Sequence, residues 1–382
     1  MNETVDPETL YERVRRGERV SVLDVRNRDE FEEWHVDGPN VEVAQEPYVN
    51  FVGARVRGEV EDLWSSQGLD APVVVVCARG ETSDEVADLL REAGVEAANL
   101  GGGMARWARV YGAHEVPTEG PRTVVQYDRP SSGCLSYLVA ADGEAAVVDP
   151  LRAFADRYVE DAADRDADLR WAVDTHVHAD HVSGVRAVAA RSGARVVLPS
   201  GAADRGLAFE ARLLEDGESL PVGDAALTAL HAPGHTSELQ VLRVGDVALT
   251  ADALFLDGVG RPDLEAGDEG ARTLARRLHE TLTERLAALP GDTTVAPGHV
   301  DAETTANDAG VYAAPIAAVR ERVAAFGADR TAFVERVATD LPPRPANYER
   351  IVAVNLGRRD VDDEAAFDLE LGPNNCAVTA TR

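Results

Sequence analysis

The sequence predicts an α/β protein of two domains, and three observations support this. Its 382 residues amount to about two domains at roughly 150 residues each. The first third alternates strand and helix patterns around Val73-Val74-Val75-Val76, a β-branched run apolar on both faces, as in a buried parallel strand. The remainder carries many strand-like runs with few helices, which argues a layered fold around two sheets.

In chain order, Asp6-Pro7 opens a helix to about Arg16, because proline suits a first helical turn. Val20 to Val25 reads as a short strand, and Glu30 to Trp34 as one or two helical turns. Pro72 precedes the valine run, which leads into the loop Cys77-Ala78-Arg79-Gly80-Glu81-Thr82-Ser83. A helix follows, with Val86, Leu89, Leu90 and Ala93 at helical spacing and Gly94 as its stop. Thr82 or Ser83 is expected to cap it, and Asp84 and Glu85 suit its first turn. The aperiodic stretch Glu115 to Pro121, rich in Pro and Gly, reads as a linker. This places the domains at residues 1–118 and 122–382.

In the second block, strands are expected at Ser136 to Ala140, Ala145 to Val148 and Trp171 to Val173. After a helix near Val182 to Arg191 come Arg195 to Leu198, Ala226 to Leu230, Leu239 to Val244 and Val247 to Thr250. Leu274, Leu278, Leu282 and Leu286 make an i+4 stripe on a helix ending before Pro290.

Composition narrows the function classes. A hydrophobic fraction of 45% can build sizeable cores and excludes global disorder. No run of about 18 apolar residues is present, so no membrane span is expected. The start, MNETVDPETL, is acidic and does not read as a secretory signal, which points to the cytoplasm. Net charge is −30, and all 38 basic residues are arginine. Such a field repels nucleic acid and anionic membrane, so neither is an expected partner. An acidic surface without lysine fits a halophile, where concentrated salt screens self-repulsion. Unfolding on dialysis to low salt is then expected. The three cysteines, Cys77, Cys134 and Cys376, are a poor disulfide framework, which fits a reducing compartment and free thiols.

Cys77 lies between a buried strand and a helix N-terminus, where loop N–H groups and the helix dipole would stabilise a thiolate or persulfide. Gly80 lets the loop curl with positive φ, and Arg79 adds positive charge. Local features fit a buried structural cysteine equally well. The block resembles a rhodanese sulfurtransferase domain. The resemblance rests on Leu23-Asp24-Val25-Arg26, Glu30-Phe31, His35-Val36-Asp37-Gly38, the Cys77–Ser83 loop and Leu100-Gly101-Gly102-Gly103-Met104 with Trp107. It implies that Cys77 is catalytic and carries a persulfide, with Arg79 and Gly80 binding substrate. Glu81 and Thr82 stand where basic residues often hold thiosulfate, which argues against thiosulfate as the donor.

Five of the nine histidines form one constellation. Thr175-His176-Val177-His178-Ala179-Asp180-His181 follows a strand, and His176 and His178 share a face in extended backbone. His235 and His299 follow Pro-Gly turns, and Asp252 ends a strand. Three histidines and an aspartate within six positions have no packing rationale. Imidazole with carboxylate suits zinc, iron or manganese. His114, His231 and His279 read as ordinary structural histidines.

These residues, in this order, resemble the metallo-β-lactamase superfamily, which implies an αββα sandwich with metal at the sheet edges. Ser132 to Tyr137, Val148-Asp149-Pro150, Ala251 to Leu254 and Gly260-Arg261-Pro262-Asp263-Leu264 resemble its persulfide dioxygenase branch more narrowly. That resemblance implies one Fe(2+) held by His176, His235 and Asp252, with a low-molecular-weight thiol persulfide and O₂ as substrates and sulfite as product. His178, Asp180, His181 and His299 would then orient the ligands or water, and Arg261 would meet a substrate carboxylate. In so acidic a chain, positive charge must be confined near the pockets, with Arg79 and Arg261 as the candidates.

Ala251 replaces a glycine often found before the ligand aspartate, and Val300-Asp301 replaces an Asp-Tyr pair. The tyrosine missing after His299, together with a halophile composition, favours a thiol other than glutathione. The tail, from Asn347-Tyr348 through Asn355-Leu356-Gly357 to Asn374-Asn375-Cys376, echoes the branch loosely. Cys134 and Cys376 either line the site or pack, and packing is the favoured reading. The alternative is a thioester hydrolase resembling hydroxyacylglutathione hydrolase. It would hold a Zn(2+) pair, one ion on His176, His178 and His235, the other on Asp180, His181 and His299, with Asp252 bridging. In a third reading the first block is a non-catalytic sulfur-relay or docking module. A homo-oligomer is compatible with all three.

Overall fold

The computed structural model describes residues 3–339, 341–372 and 376–379, so Asn374 and Asn375 lie outside the described residues. The chain forms two compact units, one built chiefly from residues up to Tyr111 and the other from Gly112 onward. Among the described residues no helix is long and apolar enough to cross a membrane.

The first unit is a parallel sheet of β1 (Thr4–Val5), β2 (Val20–Asp24), β3 (Val41–Gln45), β4 (Val73–Val76) and β5 (Ala97–Leu100), in the order β1-β5-β4-β2-β3. The valine run is the middle strand, as its two apolar faces require. Val73 and Val75 pack with Phe51, Val86 and Leu90 on one side. Val74 and Val76 pack with Leu10, Met104 and Trp107 on the other. The helix expected after the cysteine loop spans Glu81–Glu92. It starts two residues before Ser83, and its N-cap is Gly80 in the left-handed region (φ 89°), not Thr82 or Ser83. The loop is too tightly curled for a side-chain cap, and the Ser83 hydroxyl is drawn to other partners.

The second unit is a sandwich. Its first sheet contains β6 (Gly112–Val116), β7 (Thr123–Arg129), β8 (Cys134–Ala141), β9 (Glu144–Val148), β10 (Asp168–Val173), β11 (Arg195–Pro199) and β12 (Arg212–Leu214), in reverse sequence order. β6 to β9 are antiparallel where they pair, whereas β9 to β12 run parallel. Glu115 and Val116, expected to begin a linker, lie in β6, which pairs with β7 through Val116↔Val124. The Pro-Gly stretch is therefore the turn of a hairpin.

The second sheet contains β13 (Ser219–Val222), β14 (Ala225–His231), β15 (Gln240–Val244) and β16 (Val247–Ala251). After β17 (Gly258–Gly260) come β18 (Thr294–Pro297) and β19 (Ala314–Pro315), giving the order β13-β14-β15-β16-β18-β19. β17 pairs instead with β20 (Ala377–Thr379). Side chains alternate between faces. Leu242 and Leu249, opposite one another, enter the core between the sheets with Val148, Val173 and Val197. Val241 and Ala248 face helices. The leucine stripe holds: Leu274 to Leu286 are buried along Gly267–Glu280 and the irregular turns that follow it.

Candidate functional site

In the first unit, Cys77 closes β4 at the carboxyl end of a parallel sheet, where such sheets place their ligands. Its Sγ accepts the Gly80 N–H at 3.0 Å and lies 3.1 Å from Ser83 Oγ. Burial raises the Cys77 pKa more than any other single influence. The Ser83 and Thr82 hydroxyls and the Ser83 and Arg79 N–H groups together outweigh it, and the thiol titrates below its ordinary value.

The loop backbone is tied from behind, as Met104 N–H donates to Cys77 O and Ala105 N–H to Ala78 O. This close approach explains the glycines: a Cβ on Gly103 would stand 2.2 Å from Cys77 O, and one on Gly80 would stand 2.7 Å from Gly102 N. A cleft of about 270 Å³ opens over the sulfur, with Arg26, Asn27, Glu30, Tyr48 and Thr82 among its walls. Arg79 is exposed, and its visible contribution is its backbone N–H. Ser83 and Asn99 were not expected at this site. Asn99 is a polar residue on the apolar strand β5, and Ser83 lies in helical phase with Val86 and Leu90 on the buried face of its helix.

In the second unit, the loop from His176 to His181 is buried, so its backbone groups need partners. Distant side chains supply them. Glu238 accepts the Val177 N–H, and Glu370 accepts that of Val182. Asn355 donates to His178 O and His181 O and accepts the Ser183 N–H. Asp149 accepts both the N–H and the hydroxyl of Thr175.

His176, His235 and Asp252 converge, each offering one ligand atom within 4.8 Å of the others. Among the described residues, His176 Nε2, His235 Nε2 and Asp252 Oδ2 are buried without a hydrogen-bond partner. Hydrogen bonds at the opposite atoms explain why these three point inward. Thr175 Oγ1 gives its hydrogen to Asp149, so it accepts from His176 Nδ1 at 2.9 Å. His235 Nδ1 donates to Arg261 O at 2.8 Å. Both rings are thus held as the tautomer with a lone pair on Nε2. Burial, with His178 and His235 nearby, pushes His176 well below the usual histidine range. Burial lowers His235 as well. Burial is the largest single influence on Asp252 and raises it, but the charge and hydrogen bond of His299 and the charge of His235 together outweigh it, and the group titrates below the ordinary carboxylate value. Two nitrogen lone pairs and one carboxylate oxygen fit a divalent metal ion.

A bulge aims Asp252: the β16–β18 register shifts between Leu249 and Ala251. Ala251 there has φ 48°, a left-handed conformation that explains why glycine suits this position.

The other four predicted residues differ from one another. His299 is held at both nitrogens, by Asp252 Oδ1 at 2.7 Å and Asp180 Oδ2 at 2.9 Å. His178 Nε2 meets Asp149 at 3.1 Å, and His181 Nδ1 meets Asp180 at 3.1 Å; among the described residues His178 Nδ1 and His181 Nε2 have no hydrogen-bond partner, although His181 stands beside the Cys134 thiol. Cys134, for which packing was favoured over lining the site, joins Asp180, His181 and His299 in a second buried cluster, its Sγ 3.3 Å from Asp180. Cys376 packs with Ala179 and Leu264.

Arg261 departs from the expectation of a substrate contact. It is buried, with a bidentate pair to Asp263 and further bonds to Pro342 O and Pro343 O, and serves as a strut. His231 and His279 meet the carbonyls of Ser237 and Ala328, and His114 faces Asp128, as structural histidines do.

Residues 6–110 match the rhodanese-like domain, and residues 130–299 match the metallo-beta-lactamase superfamily. Over 186 residues the chain is 32% identical to the mitochondrial persulfide dioxygenase ETHE1 of Homo sapiens, covering 47% of this chain and 68% of that one. Over 253 residues it is 34% identical to a hydroxyacylglutathione hydrolase of Anaeromyxobacter dehalogenans, covering 65% and 90% respectively. Among solved structures, ETHE1 from Myxococcus xanthus aligns with a TM-score of 0.54 at 29% identity, over 61% of this chain and 98% of that one.

Proposed function

We propose that this chain, which belongs to the metallo-β-lactamase superfamily and carries a rhodanese-like domain ahead of that fold, is a persulfide dioxygenase that also transfers sulfur through Cys77. One low-molecular-weight thiol persulfide, one O₂ and one water give one thiol and one sulfurous acid. The observation that carries this reading is the contrast between two groups. His176, His235 and Asp252 each turn an unpartnered atom inward, whereas His299 has both nitrogens committed to carboxylates. Two histidines and one carboxylate, with His299 withheld, suit one metal ion with open positions.

A ferrous ion held by these three would supply the place where O₂ and the persulfide sulfur meet. The chain's part is positional. Thr175 and Arg261 O fix the two imidazoles, and His299 fixes the Asp252 carboxylate. The buried Phe255 ring meets His299 edge-on, with ring centroids 6.0 Å apart. In the first unit, the Cys77 thiolate would attack the outer sulfur of a persulfide. Its Sγ bonds to that sulfur, the old S–S bond breaks, and the thiolate of the small thiol leaves.

The dinuclear thioester hydrolase is the second reading. The unpartnered His178 Nδ1 and His181 Nε2 favour it, as does the longer match to a hydroxyacylglutathione hydrolase. Metal quantification after anaerobic purification, with O₂ uptake on several persulfides, separates the two. One iron per chain with persulfide-dependent uptake is expected. Two metals with thioester hydrolysis and no uptake would overturn the proposal.

A further inference from the structure

Beneath Cys77 lies a hydrogen-bond arrangement that the sulfur cannot leave unchanged. Ser83 is fully buried and Asn99 nearly so. Ser83 Oγ stands 3.1 Å from Cys77 Sγ and 2.7 Å from Asn99 Oδ1. The Asn99 amide cannot reverse, because its Nδ2 donates to Gly80 O at 2.9 Å, a carbonyl that only accepts. The Ser83 hydroxyl therefore has one hydrogen and two acceptors.

With a thiol, both needs are met: Cys77 S–H donates to Ser83 Oγ, and Ser83 O–H donates to Asn99 Oδ1. With a thiolate, the sulfur only accepts, and the hydroxyl must choose. We propose that Ser83 and Asn99 form a one-hydrogen switch. The Ser83 hydroxyl donates to Cys77 Sγ while the sulfur is a thiolate, and turns back to Asn99 once the sulfur is protonated or bonded to a second sulfur.

The inference rests on the reading of Cys77 as a sulfur carrier and deepens it. In a persulfide the charge sits on the outer sulfur, so Sγ becomes a weak acceptor and the hydroxyl is released. The thiolate forfeits the buried Ser83–Asn99 bond, and the persulfide regains it. Asn99 therefore biases Cys77 toward the loaded form. Ser83 and Asn99 are positioning residues, since neither reaches the transferred sulfur.

The charged and titratable groups around Cys77 are Arg26 and Glu30 across the cleft, Tyr48 on the helix Tyr48–Arg57, and Arg79 and Glu81 on its own loop. None is altered in the variants below, so their field cancels in the comparison.

The test is the pH dependence of Cys77 alkylation in the full chain, read at Cys77 by peptide mass spectrometry. Ser83→Ala is expected to raise the thiol pKa by about one unit, a tenfold loss of thiolate, and Ser83→Thr to restore it. Asn99→Ala is expected to lower it by about half a unit, and to do so only when Ser83 is present. A purely structural Asn99 gives the opposite sign, because losing the Gly80 tether would loosen the Gly80 N–H from Sγ. A pKa raised by Asn99→Ala in both backgrounds would overturn the switch.

If Asn99→Ala fails to fold, the infrared S–H band of the protein minus that of Cys77→Ser decides. A red-shifted, donating thiol is expected, and a free-thiol frequency overturns the proposal. Failure of the sulfur-carrier reading shows separately, as sulfur transfer persisting in Cys77→Ser.

Discussion

Thr175→Val tests how the histidine loop is built, because it removes one hydroxyl and little volume. Thr175 Oγ1 donates to Asp149 Oδ2 at 2.8 Å and accepts from His176 Nδ1 at 2.9 Å. A buried hydrogen bond to a carboxylate contributes about 1.5–3 kcal/mol and a neutral one about 1 kcal/mol. Asp149 keeps the Thr175 N–H at 2.7 Å and His178 at 3.1 Å, which offsets part of the loss. The expected destabilisation is therefore about 2–3 kcal/mol. It should appear as a lower urea midpoint in metal-stripped protein, followed by the fluorescence of Trp171, the second unit's only tryptophan. His176 also loses the partner that fixes its tautomer, so metal affinity should fall about tenfold to a hundredfold in a chelator competition. An unchanged midpoint together with unchanged affinity would refute the argument that this hydroxyl sets both the loop and the ligand.

Four further outcomes are expected. Gly103→Ala forces a Cβ to within 2.2 Å of Cys77 O at φ 56°, so sulfur transfer should be abolished while metal content is unchanged, measured on the same preparation. Asn355→Ala removes three bonds to the histidine loop and should cost about 3 kcal/mol in urea unfolding, together with metal retention on dialysis. Arg261→Met should lower the melting temperature, because Asp263 loses a bidentate partner and keeps only Arg344. A raised KM with unchanged melting would instead restore a substrate-binding role. Cys77 titrates below the ordinary thiol value of 9, so folding favours its thiolate. That contribution is present above pH 9 and is lost as pH falls through the folded-state value. Cys77→Ala should flatten the stability profile in that window.

Most strand and helix positions were legible because burial on one face or two imposes a period. Val73–Val76 is apolar throughout because it is a central parallel strand with helices on both sides. β6 was not legible: Gly112-Ala113-His114-Glu115-Val116 has a weak pattern, and an edge strand can be half exposed. The Glu81–Glu92 helix began earlier than its capping signals suggested, because a glycine N-cap leaves no side-chain signature.

The candidate ligands were legible for a different reason. His176, His178, Asp180 and His181 are too close together in sequence for packing to explain them, and Asp252, His235 and His299 end strands or follow turns. By itself the sequence determined which residue types gather and roughly which elements carry them, since both follow from local spacing and hydrophobic period. Only the tertiary structure decided which atoms are free. His299 became a bridge between two carboxylates, Arg261 a strut and Cys134 a neighbour of Asp180. Ser83, Asn99, Glu238, Asn355 and Glu370 acquired their roles from partners up to 188 positions away. Hydrogen bonds in a buried site are assigned by direction and distance, and neither is encoded in the spacing of residues along a chain.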